Sequence, residues 1–164
     1  MRKPEPDTSP TPPRAGEGKR GEEGYLGYLL RQAAAAQRLR MERALAELEV
    51  TPPQFATLTM LAAYSGLSNA ELARLALQTP QTLSAIVANL ARRGLISRRP
   101  HAVHGRIQHI DVTPEGRALL ARCRERVLRL EGELLRGVDA DEERAVRRWL
   151  VRLAVEQADE PGEG

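Results

Sequence analysis

Three threonine–proline pairs divide this chain, and they limit what it can fold into more than any other feature. Thr51-Pro52, Thr79-Pro80 and Thr113-Pro114 each set a hydroxyl just before a residue that has no amide hydrogen. The hydroxyl can accept from the free amides of a first helical turn, and proline is at home at the first helical position, where its missing donor has no partner anyway. Ser68-Asn69-Ala70-Glu71 and Asp139-Ala140-Asp141-Glu142 have the spacing of a capping box. Five helix starts are thus placed by local chemistry, so the chain between them must be mainly α.

Apolar periodicity fills in the rest. Helices are expected over about 25–48, 52–63, 69–76 and 80–93, the last stopping at Gly94. The segments "LISRR" and "RIQHIDV" flank "PHAVHG" and read as a small β-hairpin. Two more helices follow over about 114–136 and 140–157, the first with Leu119, Leu120, Cys123, Val127, Leu130 and Leu134 on one stripe and the second with Val146, Trp149, Leu150 and Leu153. Residues 1–24 and the terminal "ADEPGEG" are rich in Pro, Gly and charge and poor in apolar residues, so 1–24 is expected to be a disordered tail and 158–164 a flexible one. Three helices followed by a hairpin make a winged helix-turn-helix over 51–113, in which the third helix supports and the fourth would enter a major groove. The long helices of 25–50 and 114–157 leave apolar stripes that a small wing domain cannot cover, which points to a helical dimerisation region and a symmetric homodimer.

Charge points the same way. The formal net charge of +3 conceals an uneven distribution. Residues 111–164 hold ten Arg against thirteen acids, whereas the thirty-nine residues from Leu72 to Ile110 hold six Arg (74, 92, 93, 98, 99 and 106) and no acid. A basic stretch of this kind is the electrostatic footprint of a polyanion-binding surface. Catalysis finds no support: there is no Gly-rich phosphate loop, no H-E-x-x-H, and no Ser/His/Asp or Cys/His set with triad spacing. A single cysteine, Cys123, on the apolar stripe of its helix, reads as a small core residue and fits a reducing cytoplasm. No signal-peptide-like or membrane-spanning apolar run occurs, so a cytoplasmic protein without membrane or cofactor is expected.

From Leu26 to Ala154 the chain resembles the MarR family of bacterial transcription regulators, most densely in "VTPPQFATLTMLAAYSGLSNAELARLALQTPQTLSAIVANLARRGLISRRP" and "DVTPEGRALL". The resemblance implies an obligate dimer, a recognition helix with an adjacent wing, and a pocket for small, often aromatic, ligands. It places the recognition helix at Thr79 to Arg93, with Thr79, Pro80, Gln81, Thr82 and Ser84 towards DNA and Ser68 at the start of the preceding helix. Gln can pair bidentately with adenine, and Thr or Ser can meet bases or the thymine methyl. Leu83, Ile86, Val87 and Leu90 lie at core spacing, and Asn89 reads as solvated. Arg98, Arg99 and Arg106 are assigned to the DNA backbone and groove, and Tyr28, Arg31, Phe55 and Tyr64 to an effector pocket. The implied function is a ligand-responsive repressor bound to a pseudo-palindromic operator. The alternative is a winged-helix protein-interaction module that has lost operator binding.

Two departures support that alternative. Where many members carry an arginine in the recognition helix, this chain has Ala85. Their wing carries acids followed by paired arginines, whereas here the stretch is His101-Ala102-Val103-His104-Gly105-Arg106, so the wing is looser or braced differently. All three histidines, His101, His104 and His109, belong to this hairpin. They read as plain wing residues, pH-sensitive DNA contacts or metal ligands, and no metal site is assigned.

Overall fold

The computed structural model describes residues 12–64, 66–100 and 108–156. Each expected helix start is capped by the residue that marks it in the sequence. Thr51 accepts from the Gln54 amide, and the Gln54 side chain accepts in return from the Thr51 N–H. Ser68 and Glu71 form the same reciprocal pair. Thr79 accepts from the Thr82 amide and Thr113 from the Gly116 amide. Asp139 accepts from the amides of Asp141 and Glu142, while the Glu142 carboxylate takes the Asp139 N–H.

From these starts run α1 (Leu26–Ala46), α2 (Pro52–Ala63), α3 (Asn69–Leu75), α4 (Pro80–Arg92), β1 (Ile96–Pro100), β2 (Gln108–Val112), α5 (Pro114–Leu134) and α6 (Ala140–Glu156). The winged helix-turn-helix order is as expected. The first helix ends earlier than its apolar pattern suggests because Glu49 adopts a left-handed conformation, φ 52°, which turns the chain between the buried Leu48 and Val50. Among the described residues no helix is long and apolar enough to cross a membrane.

The chain divides after Arg40 into two compact units. In the first, residues expected to belong to a disordered tail hold a 3-10 turn at Gly18–Arg20. Arg20 Nε donates to Gln32 Oε1 at 3.3 Å and Gln32 Nε2 to the Arg20 carbonyl at 3.4 Å, contacts that the polar composition of the segment did not suggest. Residues 1–11 and 158–164 of the two expected tails lie outside the described residues.

The second unit carries the core. Leu58 and Leu61 of α2, Leu72 and Ala73 of α3, and Leu83, Ile86, Val87 and Leu90 of α4 pack with Leu95, Ile96, Ile110, Val112 and Leu120. A smaller cluster joins Leu45, Leu48, Val50 and Cys123. The antiparallel register sets Ile96 opposite Val112 and Arg98 opposite Ile110. The root of the hairpin is fastened by Thr113, whose hydroxyl donates to the Gly94 carbonyl at 2.7 Å and whose N–H donates to the Leu95 carbonyl at 3.1 Å. Gly116 completes that fastening. A Cβ there would lie 2.0 Å from the Leu95 carbonyl oxygen, so only glycine lets α5 approach so closely. Each residue of Thr-Pro-Glu-Gly but the glutamate thus has a structural reason to be there.

Candidate nucleic-acid interface

The stretch from Thr79 to Gly94 is built as a two-faced helix. Leu83, Ile86, Val87 and Leu90 are buried, and they fix α4 against α2, α3 and β1. Gln81, Ser84, Ala85, Ala88 and Arg92 form the opposite, exposed stripe. That stripe has no acid and, between its polar start and Arg92, only small side chains, so another surface can come close to the backbone. Gly94 ends the helix with φ 71°, a conformation that glycine adopts without strain.

Hydrogen bonding at the helix start differentiates the polar residues. The Thr79 hydroxyl donates to Thr82 Oγ1 at 2.9 Å and accepts from the Thr82 amide, so Thr82 keeps its own O–H as a donor. Ser84 Oγ donates to the Pro80 carbonyl at 2.9 Å and is left with lone pairs to offer. Gln81 is exposed and carries both a donor and an acceptor. A donor, an acceptor and an amide that is both therefore occupy one exposed turn.

The other expected contact residues are placed unequally. Ser68 is half-buried and already engaged: the Glu71 carboxylate accepts from both its N–H and its hydroxyl, at 2.8 and 2.7 Å. Those bonds hold the Glu71 carboxyl below its usual range. Arg98 is exposed on β1, and Arg99 follows it on the same strand opposite His109. Arg106, His101 and His104 lie outside the described residues. Among the described residues no group of three or more His, Cys, Asp or Glu is placed to hold a metal ion.

Two residues have roles that the sequence reading missed. Asn89 is half-buried, not solvated, and its Oδ1 accepts from Gln54 Nε2 at 3.0 Å. Arg93 Nη1 donates to the Glu49 carbonyl at 2.8 Å instead of standing free as part of the basic face. Both partners are more than thirty residues away in the chain, beyond the reach of any local pattern.

The expected effector residues fall in different units. Tyr28 and Arg31 are exposed on α1 in the first. In the second, Phe55 of α2 packs against both core clusters and Tyr64 caps the C-terminus of α2 with an exposed ring. A cavity of about 630 Å³ at the corner between α1 and α2 is lined by Glu42, Ala46, Glu49, Val50, Thr51, Pro52 and Pro53, and by none of those four. Cys123 is fully buried, and burial pushes its thiol above the usual range, which keeps it protonated and inert at neutral pH.

Comparison with known proteins agrees with this architecture. The sequence profile described as "MarR family" matches residues 48–107. The HTH-type transcriptional repressor Rv2887 of Mycobacterium tuberculosis is 36% identical over 128 residues, covering 78% of this chain and 92% of its own. Among solved structures, the transcriptional repressor CouR bound to a 23-mer DNA duplex superposes with a TM-score of 0.75 at 28% identity, over 80% of this chain and 94% of its own. Rv2887 in complex with p-aminosalicylic acid superposes with a TM-score of 0.66 at 34% identity, over 80% and 99%.

Proposed function

This chain belongs to the MarR family, whose members are transcription regulators and not enzymes, and from that premise we propose that it is a repressor that binds a pseudo-palindromic DNA site as a homodimer. The observation that carries the reading is the exposed stripe of α4: Gln81 and Ser84 lead into Ala85, Ala88 and Arg92 with no carboxylate among them. An acid-free helix face with small side chains can lie in a major groove about 12 Å wide and bring an amide and two hydroxyls to the base edges. In this reading Gln81 addresses an adenine, Thr82 donates and Ser84 accepts. Arg92, Arg98, Arg99 and Arg106 serve the phosphates and the neighbouring groove. The solved repressor bound to a DNA duplex supports DNA as the partner.

Dimerisation has support of its own. No described residue of α6 is buried, and Val146, Leu150, Val151, Leu153 and Val155 are exposed along it. A second copy would cover them. Effector response is proposed on the relative seen with p-aminosalicylic acid. Small aryl carboxylates are the class to test first. Selection from a random-sequence duplex pool tests the central reading. The expected product is a consensus with two-fold symmetry and half-site centres about 10 base pairs apart. A pool that gains no consensus refutes it.

A further inference from the structure

Two contacts tie the C-terminal half of α4 to the corner between α1 and α2. Gln54 Nε2 donates to Asn89 Oδ1 at 3.0 Å, and Arg93 Nη1 donates to the Glu49 carbonyl at 2.8 Å. Gln54 does not need the first contact to cap its own helix, because its Oε1 already accepts from the Thr51 N–H at 2.9 Å. Its second arm is spent across elements, in a partly buried position, on a helix thirty-five residues away.

The need for such a tie follows from how α4 is otherwise held. Leu83, Ile86, Val87 and Leu90 fix its depth in the core. Apolar contacts are non-directional and leave roll and tilt soft. Hydrogen bonds are directional, and these two act at one end. Asn89 lies eight residues beyond Gln81, a lever of about 12 Å at 1.5 Å per residue. A tilt of about 5° pivoting there moves Gln81 by about 1 Å, enough to spoil a bidentate base contact whose tolerance is a few tenths of an ångström.

We infer that Gln54 and Asn89 are positioning residues for sequence readout: their hydrogen bond, backed by the Arg93–Glu49 contact, sets the orientation of α4 that brings Gln81 onto its base. The inference rests on the reading of α4 as the recognition helix.

A pair of near-isosteric amide-to-carboxylate swaps tests it. Gln54→Glu keeps the acceptor for the Thr51 N–H, and Asn89 can turn its amide to donate to the new carboxylate. Asn89→Asp keeps the acceptor for Gln54. Each single variant therefore retains a hydrogen bond, whereas the double variant faces two carboxylates with no donor between them. The readout is the ratio of affinities for the duplex that the wild-type chain enriches from a random pool and for the unselected pool. In that ratio the cost of added negative charge against phosphate largely cancels. Each single variant should keep the ratio within about twofold, and the double variant should lower it by at least about tenfold, a non-additivity that marks direct contact. Asn89→Leu, which removes the acceptor without adding charge, should lower the ratio as well and stands in if the double variant does not fold. A double variant that equals the product of its singles, or an Asn89→Leu protein with an unchanged ratio, overturns the inference alone. A wild-type chain with no preference for any duplex overturns the operator reading and the inference with it.

Discussion

Single residues carry some of the sharpest expectations. Leu77, in the turn between α3 and α4, holds φ 54° with 89% of its surface exposed. A left-handed leucine costs about 1–2 kcal/mol, and this one packs against nothing that repays it. Leu77→Gly should therefore raise the urea midpoint, corresponding to about 0.5–1 kcal/mol of added stability once the added freedom of the unfolded glycine is subtracted. Gly116→Ala should act in the opposite sense, since its Cβ would strike the Leu95 carbonyl. A loss of about 2 kcal/mol or more in the same assay is expected, because a buried backbone cannot yield as a side chain can. The caps at Thr51, Ser68, Thr79, Thr113 and Asp139 were legible in the sequence because each bond closes within three residues. The Asn89 and Arg93 contacts were not legible, for a surface position and a tertiary one look alike until the fold brings the partner near. The strain at Leu77 was equally hidden, since nothing in a leucine announces a positive φ.

At the scale of elements, α4 unites a core helix and the proposed reading helix by dividing its two faces. Its apolar spacing revealed the buried face from sequence, and the structure adds that Thr82 and Ser84 differ in what they can offer. Gln81→Ala should leave the fold intact and cost roughly 1–3 kcal/mol of discrimination at one base position of the enriched duplex. Affinity measurements on duplexes substituted at each position in turn check this, and equal losses on every duplex would remove Gln81 from base reading. The wing is the counterpart whose sequence signal was ambiguous: its strands and their pairing are described, but the tip with His101, His104 and Arg106 is not. β1 carries Arg98 and Arg99 in any case, so the basic stretch does not depend on the tip alone. Ser68 caps α3 as its sequence position suggests, and the Glu71 carboxylate engages both its N–H and its hydroxyl.

For the whole molecule, the apolar residues along α6 and the acid-free stretch from Leu72 to Ile110 ask for different partners: a second copy and a polyanion. Leu150→Glu would bury a charge in the proposed dimer seam, while costing the isolated chain little because Leu150 is exposed there. Sedimentation should show the dimer dissociation constant raised by at least about tenfold with the helical content unchanged. The proposed dimer and the proposed groove-reading helix meet in one observable, the salt dependence of duplex binding. Titrating the enriched duplex with the wild-type chain at a series of salt concentrations gives both stoichiometry and slope. With two chains per duplex and at least two phosphates neutralised by each, log affinity should fall against log salt with a slope of about −3.5 or steeper. Binding that is independent of salt, or that saturates at one chain per duplex, would contradict a dimeric reader of DNA.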